Sequence, residues 1–278
     1  MNDRVLRVFP SRNKATPDDN LTWIGDPPMT LDLFPPFDEV HISVTFTWDI
    51  QEGRRLFRAW SDRADDVQIG GAALGDSGGE FVPGRYLKPG YVITSRGCPF
   101  RCPHCFVPGR EGKIRELPIT EGWNVLDNNL LACSQKHIEA VFDMLRKQKE
   151  RIEFTGGLDS RLLKTWHIDL LKSIHIGQLF FAYDNPAQLV YLQEAGKMLS
   201  RAGIRKKRLR CFVLAGYEGD SPGKAEKRGI EAWRAGFYPF MMYYRDGGDA
   251  VALTGEWPET IRNWCRPAII YSRMKRVC

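Results

Sequence analysis

The chain has 278 residues, of which 43% are hydrophobic and 27% charged, and its formal net charge is +6 at pH 7. This length suffices for one large or two modest domains, and the composition is ordinary for a soluble globular protein. The first residues contain no apolar stretch of the signal-peptide type, and no later run is long enough to cross a bilayer. We therefore expect a cytoplasmic protein with no membrane partner.

Residues 1–84 predict a small α/β region. The β-branched residues in 40–46 indicate a buried strand, and apolar residues recur near helical spacing over 50–60. A second strand is indicated at 67–69, so that the three elements form a β-α-β unit. The residues before about 36 give little periodic signal, and 75–84 are predicted to be a linker.

The remainder of the chain predicts alternating strands and helices. Ser134, Asn185-Pro186 and Ser221-Pro222 are typical first residues of helices, and a last helix is indicated at 257–264. Parallel strands alternating with helices predict a barrel or an open sheet with its active site at the carboxyl ends of the strands. The six strand candidates are 91–95, 123–126, 152–155, 178–183, 209–215 and 238–244.

Three cysteines, Cys98, Cys102 and Cys105, directly follow the first of these six strands. Cysteines are retained for their reactivity more than for packing, and three thiolates can hold three irons of a four-iron cube while the fourth iron stays open. A structural zinc site normally has four ligands in paired C-x2-C spacings, and only one such spacing exists here. Seven cysteines are an odd number for a disulfide framework. A zinc site and incidental thiols remain the alternatives.

The C-x3-C-x2-C spacing resembles the signature of the radical SAM superfamily, in which S-adenosylmethionine fills the open place of a [4Fe-4S] cluster. The run from Ile93 to Cys105 most resembles the branch with an N-terminal cobalamin-type domain, and the likeness extends over residues 91–245. It implies a partial (β/α)6 barrel with a C-terminal helix over 85–278, preceded by a reduced Rossmann-like β-α-β region over 1–84. That region lacks the Asp-x-His-x-x-Gly cobalt-ligand pattern, so we expect no bound cobalamin.

The resemblance also implies which residues contact the cofactor. Asp127, Asn128 and Asn129 end the second strand, where the branch carries an acidic pair or Asp-Asn that accepts hydrogen bonds from the methionine ammonium. The alternative is that Asp127 and Asn128 only turn the chain or cap a helix. Asp159 and Arg161 follow the third strand, and the Arg161 guanidinium can pair with the methionyl carboxylate.

The remaining cofactor contacts are expected at His104 and after the fourth and fifth strands. Tyr183 and Asp184 stand where the family contacts the ribose or the carboxylate, and Gly216 stands at the strand end that packs close to adenine. Glycine permits such an approach because it lacks a Cβ. His104 occupies a position that is commonly aromatic, where it can stack but adds a titratable group.

The implied activity is the reductive cleavage of S-adenosylmethionine to a 5′-deoxyadenosyl radical that abstracts hydrogen from a substrate, with an external electron donor. The substrate is a small molecule, a peptide or a nucleic acid. Basic residues gather in 205–210, but this run leads into an apolar strand and therefore predicts a solvated face more than a nucleic-acid patch. The alternative function is a non-catalytic iron–sulfur electron carrier or sensor.

Overall fold

A computed structural model describes residues 4–76, 80–245 and 253–277. The chain forms two compact units: one contains the described residues up to Tyr91 together with Arg245, and the other contains Val92–Tyr244 and the described residues from 253 onward. Both units combine helices with parallel strands, which confirms the predicted α/β class. Among the described residues, no helix has both the length and the apolar character needed to cross a membrane.

The first unit is a four-stranded parallel sheet in the order β2-β1-β3-β4 with one α-helix. Its elements are β1 (Val5–Phe9), β2 (Thr22–Ile24), β3 (Glu39–Ser43), α1 (Ile50–Ser61) and β4 (Val67–Gly70), with short 3-10 helices at Leu31–Leu33, Thr47–Asp49 and Ala72–Leu74. The predicted β-α-β unit is confirmed. The sequence did not indicate β1 or β2. In β1 every residue is buried, so polar and apolar side chains do not alternate along the strand.

The core of this unit packs α1 against β1 and β3. Leu56 and Trp60 of the helix are fully buried together with Leu6, Val8 and Ile42. These strands therefore derive their stability from burial on the sheet rather than from a strong local preference.

The second unit contains a six-stranded sheet whose strands follow one another in chain order, with parallel pairing from β8 to β12. The strands are β5 (Tyr91–Val92), β8 (Asn124–Val125), β9 (Ile152–Leu158), β10 (Ile176–Tyr183), β11 (Leu209–Ala215) and β12 (Tyr238–Tyr243), while β6 (Ser95–Arg96) and β7 (Arg115–Glu116) form a separate antiparallel pair. The α-helices are α2 (Val107–Arg110), α3 (Gln135–Arg146), α4 (Thr165–Lys172), α5 (Leu189–Arg201), α6 (Pro222–Arg234), α7 (Trp257–Cys265) and α8 (Pro267–Val277). Short 3-10 helices lie at Leu130–Ala132, Pro186–Gln188 and Lys206–Arg208.

The helix starts indicated by the sequence are confirmed. The Ser134 hydroxyl accepts a hydrogen bond from the His137 backbone N–H at the start of α3. Ser221 caps α6 in the same way, and Asn185 caps the 3-10 turn that leads into α5. The predicted stripe of α3 is buried, at Ile138, Val141, Phe142 and Leu145.

The largest differences from the predicted strand boundaries of the second unit are in its first and third strands. The first strand ends at Val92 because the backbone N–H of Thr94 donates to the Asp127 side chain instead of a neighbouring strand. The third strand, predicted to end at 155, continues through Gly156-Gly157 to Leu158. The β9–β10 register shifts between Leu179 and Phe181, so these glycines occupy an irregularity of the bulge type.

Gly156 makes a close backbone contact with the end of β8. A Cβ at this position would lie 2.3 Å from the Asp127 carbonyl oxygen. We predict that Gly156→Ala lowers the free energy of unfolding by about 1–3 kcal/mol, since backbone cannot move aside as a flexible side chain can. Gly223→Ala is the matched control, because a Cβ there meets nothing within 4 Å. Urea titration of both variants tests this; equal stability of the two would contradict it.

Candidate functional site

A buried carboxylate connects the end of β8 to the segment that precedes the cysteines. Asp127 accepts hydrogen bonds from the Thr94 backbone N–H at 2.6 Å, the Thr94 hydroxyl at 2.6 Å and the Ser95 hydroxyl at 2.7 Å. All three residues are buried, with Asp127 only 1% exposed. Because burial outweighs these hydrogen bonds, the pKa of Asp127 is raised above its ordinary value. The contacts fix the path of the chain into the cysteine loop.

The next residue along the chain holds the same loop at a second point. The Asn128 side-chain oxygen accepts a hydrogen bond from the Gly97 backbone N–H at 2.9 Å. Gly97 has a φ of +88°, and a Cβ there would lie 2.1 Å from the Lys113 carbonyl oxygen, so only glycine fits this position. Cys98 follows directly, and its backbone N–H donates to the Gly112 carbonyl.

The three cysteines of this loop are partly buried free thiols. Burial raises the pKa of Cys102 and of Cys105, and their proximity to Cys98 and Asp184 raises both further. The Cys98 sulfur accepts a hydrogen bond from the Asn129 side-chain N–H at 3.4 Å. The N–H groups of Arg161 and of the Val107 backbone partly offset the effect of burial on the pKa of Cys102 and of Cys105, respectively.

Asn129, Asp159 and Arg161 form a hydrogen-bonded unit beside two of these sulfurs. Asn129 Nδ2 donates to Asp159 Oδ2 at 3.2 Å as well as to Cys98. Arg161 donates to Asp159 through Nε at 2.9 Å and through Nη2 at 2.6 Å. The guanidinium also lies 3.5 Å from the ring centroid of Phe100 within the loop.

His104 and Asp184 lie together at the same edge of the sheet. His104 Nε2 is 3.2 Å from Asp184 Oδ2, and its ring meets Tyr217 edge-on at 5.7 Å between centroids. Tyr217 in turn packs edge-on against Tyr244, and Tyr244 stacks on Phe106. Phe106 is 47% exposed, so this group presents an aromatic surface beside the thiols.

The structure therefore brings together most of the residues that the sequence singled out. Five expected cofactor contacts, His104, Asn129, Asp159, Arg161 and Asp184, contact the cysteine loop or lie close enough to influence its thiols. His104 belongs to the loop itself, and the other four follow the carboxyl ends of the adjacent parallel strands β8, β9 and β10, as the topology rule requires.

Four other expected contacts have partners inside the protein. The Asn128 side chain accepts a hydrogen bond from the Gly97 backbone. The Asp127 carboxylate is buried, and its oxygens accept hydrogen bonds from Thr94 and Ser95. The contacts of Asp127 and Asn128 with the methionine ammonium stay predictions.

Tyr183 and Gly216 are the other two expected contacts that have partners inside the protein. Tyr183 is fully buried and its hydroxyl donates to Glu231 of α6 at 2.6 Å, so its side chain faces the helices and not the cysteine loop. At Gly216, a Cβ would lie 2.3 Å from the Tyr243 ring, so the close approach allowed by this glycine is to Tyr243. Its backbone N–H donates to Asp220.

The sequence did not single out Thr94, Ser95 or the aromatic group. Two adjacent hydroxyl residues at the end of a buried strand were the available signal for the Asp127 contact, because buried hydroxyls require partners. No local pattern marks Phe106, Tyr217 and Tyr244, which come from three separate segments.

Among the described residues, no group of three or more His, Cys, Asp or Glu side chains is arranged to hold a single metal ion. The raised pKa values of Cys102 and Cys105 favour the thiol over the thiolate, which is the nucleophilic form.

A scan against protein-family models finds no family that matches the chain, and a search of curated proteins finds no relative.

We predict that Asp127→Ala lowers the free energy of unfolding by about 1–3 kcal/mol, because it leaves the buried donors of Thr94 and Ser95 without an acceptor. Asp127→Asn should cost less, since the two hydroxyls can rotate to accept from the amide. Urea denaturation of the three proteins measures both effects. A variant Asp127→Ala as stable as the parent would show that the carboxylate does not organise the loop.

The raised pKa of Asp127 also predicts a pH dependence. The protonated Asp127 carboxyl holds its proton more tightly in the folded state than in the unfolded chain. Protonation therefore contributes fully to the free energy of unfolding below the ordinary aspartate pKa of about 3.9, and this contribution declines as pH rises through the raised value. Asp127→Asn should remove this component. Stability measured against pH for both proteins checks it, and identical slopes would contradict the assignment.

Proposed function

We propose that the protein is a radical SAM enzyme, with Cys98, Cys102 and Cys105 as the ligands of a [4Fe-4S] cluster that binds S-adenosylmethionine. The observation that carries the proposal is the set of three free thiols in one loop that Asp127 anchors, with the Asn129 side chain donating to Cys98. We further propose that the six-stranded sheet is the core of a partial barrel, in keeping with its chain-order strands and intervening helices.

The chemistry of the donor set fits such a cluster. Thiolates suit iron–sulfur clusters, and each thiolate of a cubane binds a different iron atom, so the ligands need not converge on one point. Binding removes the thiol protons, and N–H donors then stabilise the sulfur charge. This is consistent with three free thiols beside N–H groups that, among the described residues, do not converge on a single ion.

A buried acceptor in the same place fits the second cofactor. The Asn129 Oδ1 atom is buried and has no hydrogen-bond partner among the described residues. An unsatisfied buried oxygen is costly, and the ammonium group of S-adenosylmethionine is a donor that would satisfy it. This supports the sequence-based assignment for Asn129.

When bound, the cluster supplies the electron for reductive cleavage of S-adenosylmethionine. The residues of this chain position and enclose the reactants. Asp159 holds the Arg161 guanidinium through two hydrogen bonds along one edge, so that its charge is fixed beside the thiols. His104 and Asp184 orient one another, and the aromatic rings of Phe106, Tyr217 and Tyr244 lie on that side of the site.

We predict that anaerobic reconstitution gives about four irons per chain and release of 5′-deoxyadenosine with dithionite. Alanine at Cys98, Cys102 or Cys105 should remove both. Cys133→Ala is the matched control, because Cys133 is also a partly buried free thiol but lies outside the motif. Iron analysis and mass spectrometry of the products provide the measurement. The proposal fails if a triple variant still releases 5′-deoxyadenosine, or if the parent binds zinc instead.

The alternative of an electron carrier or sensor predicts a bound cluster without affinity for S-adenosylmethionine. Calorimetry on the reconstituted protein separates the two, since an enzyme must bind the sulfonium compound. The substrate class is tested in the same preparation: a nucleic-acid substrate would be retained at low salt and lost as salt rises. A small-molecule or peptide substrate would show neither behaviour.

A further inference from the structure

We propose, on the basis of the proposed function, that Asn129, held in one orientation by Asp159 and Arg161, sets the reduction potential of the cluster through its hydrogen bond to Cys98. Arg161 also places a positive charge close to Cys102, the second ligand sulfur. Asn129 and Arg161 are thus positioning and tuning residues, in addition to any contact with S-adenosylmethionine.

The orientation of Asn129 follows from its partners. Its Nδ2 atom faces a sulfur at 3.4 Å and a carboxylate oxygen at 3.2 Å, and both of these are acceptors. The amide must therefore present its nitrogen to them, and the N–H group to Cys98 is fixed by the N–H group to Asp159. At 3% exposure, the side chain has no water to replace these contacts.

Asp159 transmits the same constraint to Arg161. It accepts from the Arg161 backbone N–H at 3.0 Å and from two guanidinium nitrogens, so the planar group is held in one orientation. The ring of Phe100 lies against the guanidinium and limits its movement further. The positive charge of Arg161 is thereby fixed close to the Cys102 sulfur.

The third sulfur is different in kind. The N–H group that acts on Cys105 belongs to the backbone of Val107, and no side-chain substitution removes it. Asn129 and Arg161, beside Cys98 and Cys102, can by contrast be changed. Hydrogen bonds to the sulfurs of an iron–sulfur cluster stabilise its more negative, reduced form and raise its potential.

The experiment is an EPR-monitored redox titration with dithionite on the reconstituted full chain, without S-adenosylmethionine. The variants are Asn129→Ala and Arg161→Lys, the latter keeping the positive charge but losing the planar fork. At the midpoint potential of the parent, we expect the ratio of reduced to oxidised cluster in each variant to be about tenfold lower. This corresponds to a midpoint potential about 59 mV lower for a one-electron couple. The double variant should shift by less than the sum, since Asp159 couples the two residues.

Asn124→Ala is the matched control. Asn124 is as buried as Asn129, at 4% against 3%, but its side chain bonds Glu153 and Thr155 and not a cysteine. Its midpoint should stay at the parent value. The proposal is overturned if the single variants retain their iron and have the midpoint potential of the parent. A double variant whose shift in midpoint potential equals the sum of the two single shifts would contradict the coupling through Asp159.

A second measurement does not depend on the variants folding. In parent protein labelled with 15N at asparagine and arginine side chains, pulsed EPR of the reduced cluster should detect a hyperfine coupling from each type of residue. Absence of both couplings would overturn the inference while leaving the cluster, and hence the proposed function, intact. A parent protein that holds no [4Fe-4S] cluster would overturn the proposed function itself, and the inference with it.

Discussion

The buried carboxylate of Asp127 is the constraint on which the arrangement of the site depends. It meets three hydrogen-bond donors from Thr94 and Ser95, at the point where the first strand leaves the sheet. Burial of an ionisable group is costly, so its retention requires the compensation that these donors provide. The cysteine loop then begins from a fixed point and not from a mobile strand end.

The other elements of the site follow from this fixed point. Asn128 holds Gly97, and Asn129 reaches the sulfur of Cys98, so three consecutive side chains after β8 contact the loop in succession. The ends of β9 and β10 add Asp159, Arg161 and Asp184 because parallel strands place their carboxyl ends at one edge. A short segment after one strand thereby organises a site to which several strands contribute.

Much of the second unit could be predicted from sequence, because its strands are buried apolar runs separated by capped helices. The alternation of side chains along β10 was also informative. Leu179, Phe181 and Tyr183 lie on one buried face of the strand, so Tyr183 faces the helices. The partners of Asp127 were not available, because Thr94 and Ser95 lie 33 and 32 residues away in sequence. A polar residue at a strand end can bind a ligand or its own chain, and only the tertiary structure distinguishes the two.

The first unit shows the opposite case, in which local pattern is weak although the fold is regular. β1 is buried along its whole length, so its sequence carries no alternation. The sequence indicated only β3, α1 and β4. Of the strands that it did not indicate, β1 contributes Leu6 and Val8 to the core around Trp60. Burial on both faces hides a strand from periodicity arguments.

The central claim is that three thiols hold a four-iron cluster with one iron open to S-adenosylmethionine. Mössbauer spectroscopy of protein reconstituted with 57Fe tests it most directly. The account predicts one iron site in four that differs from the rest, and a change at that site alone when S-adenosylmethionine is added. Four equivalent sites, or a spectrum that S-adenosylmethionine leaves unchanged, would contradict it.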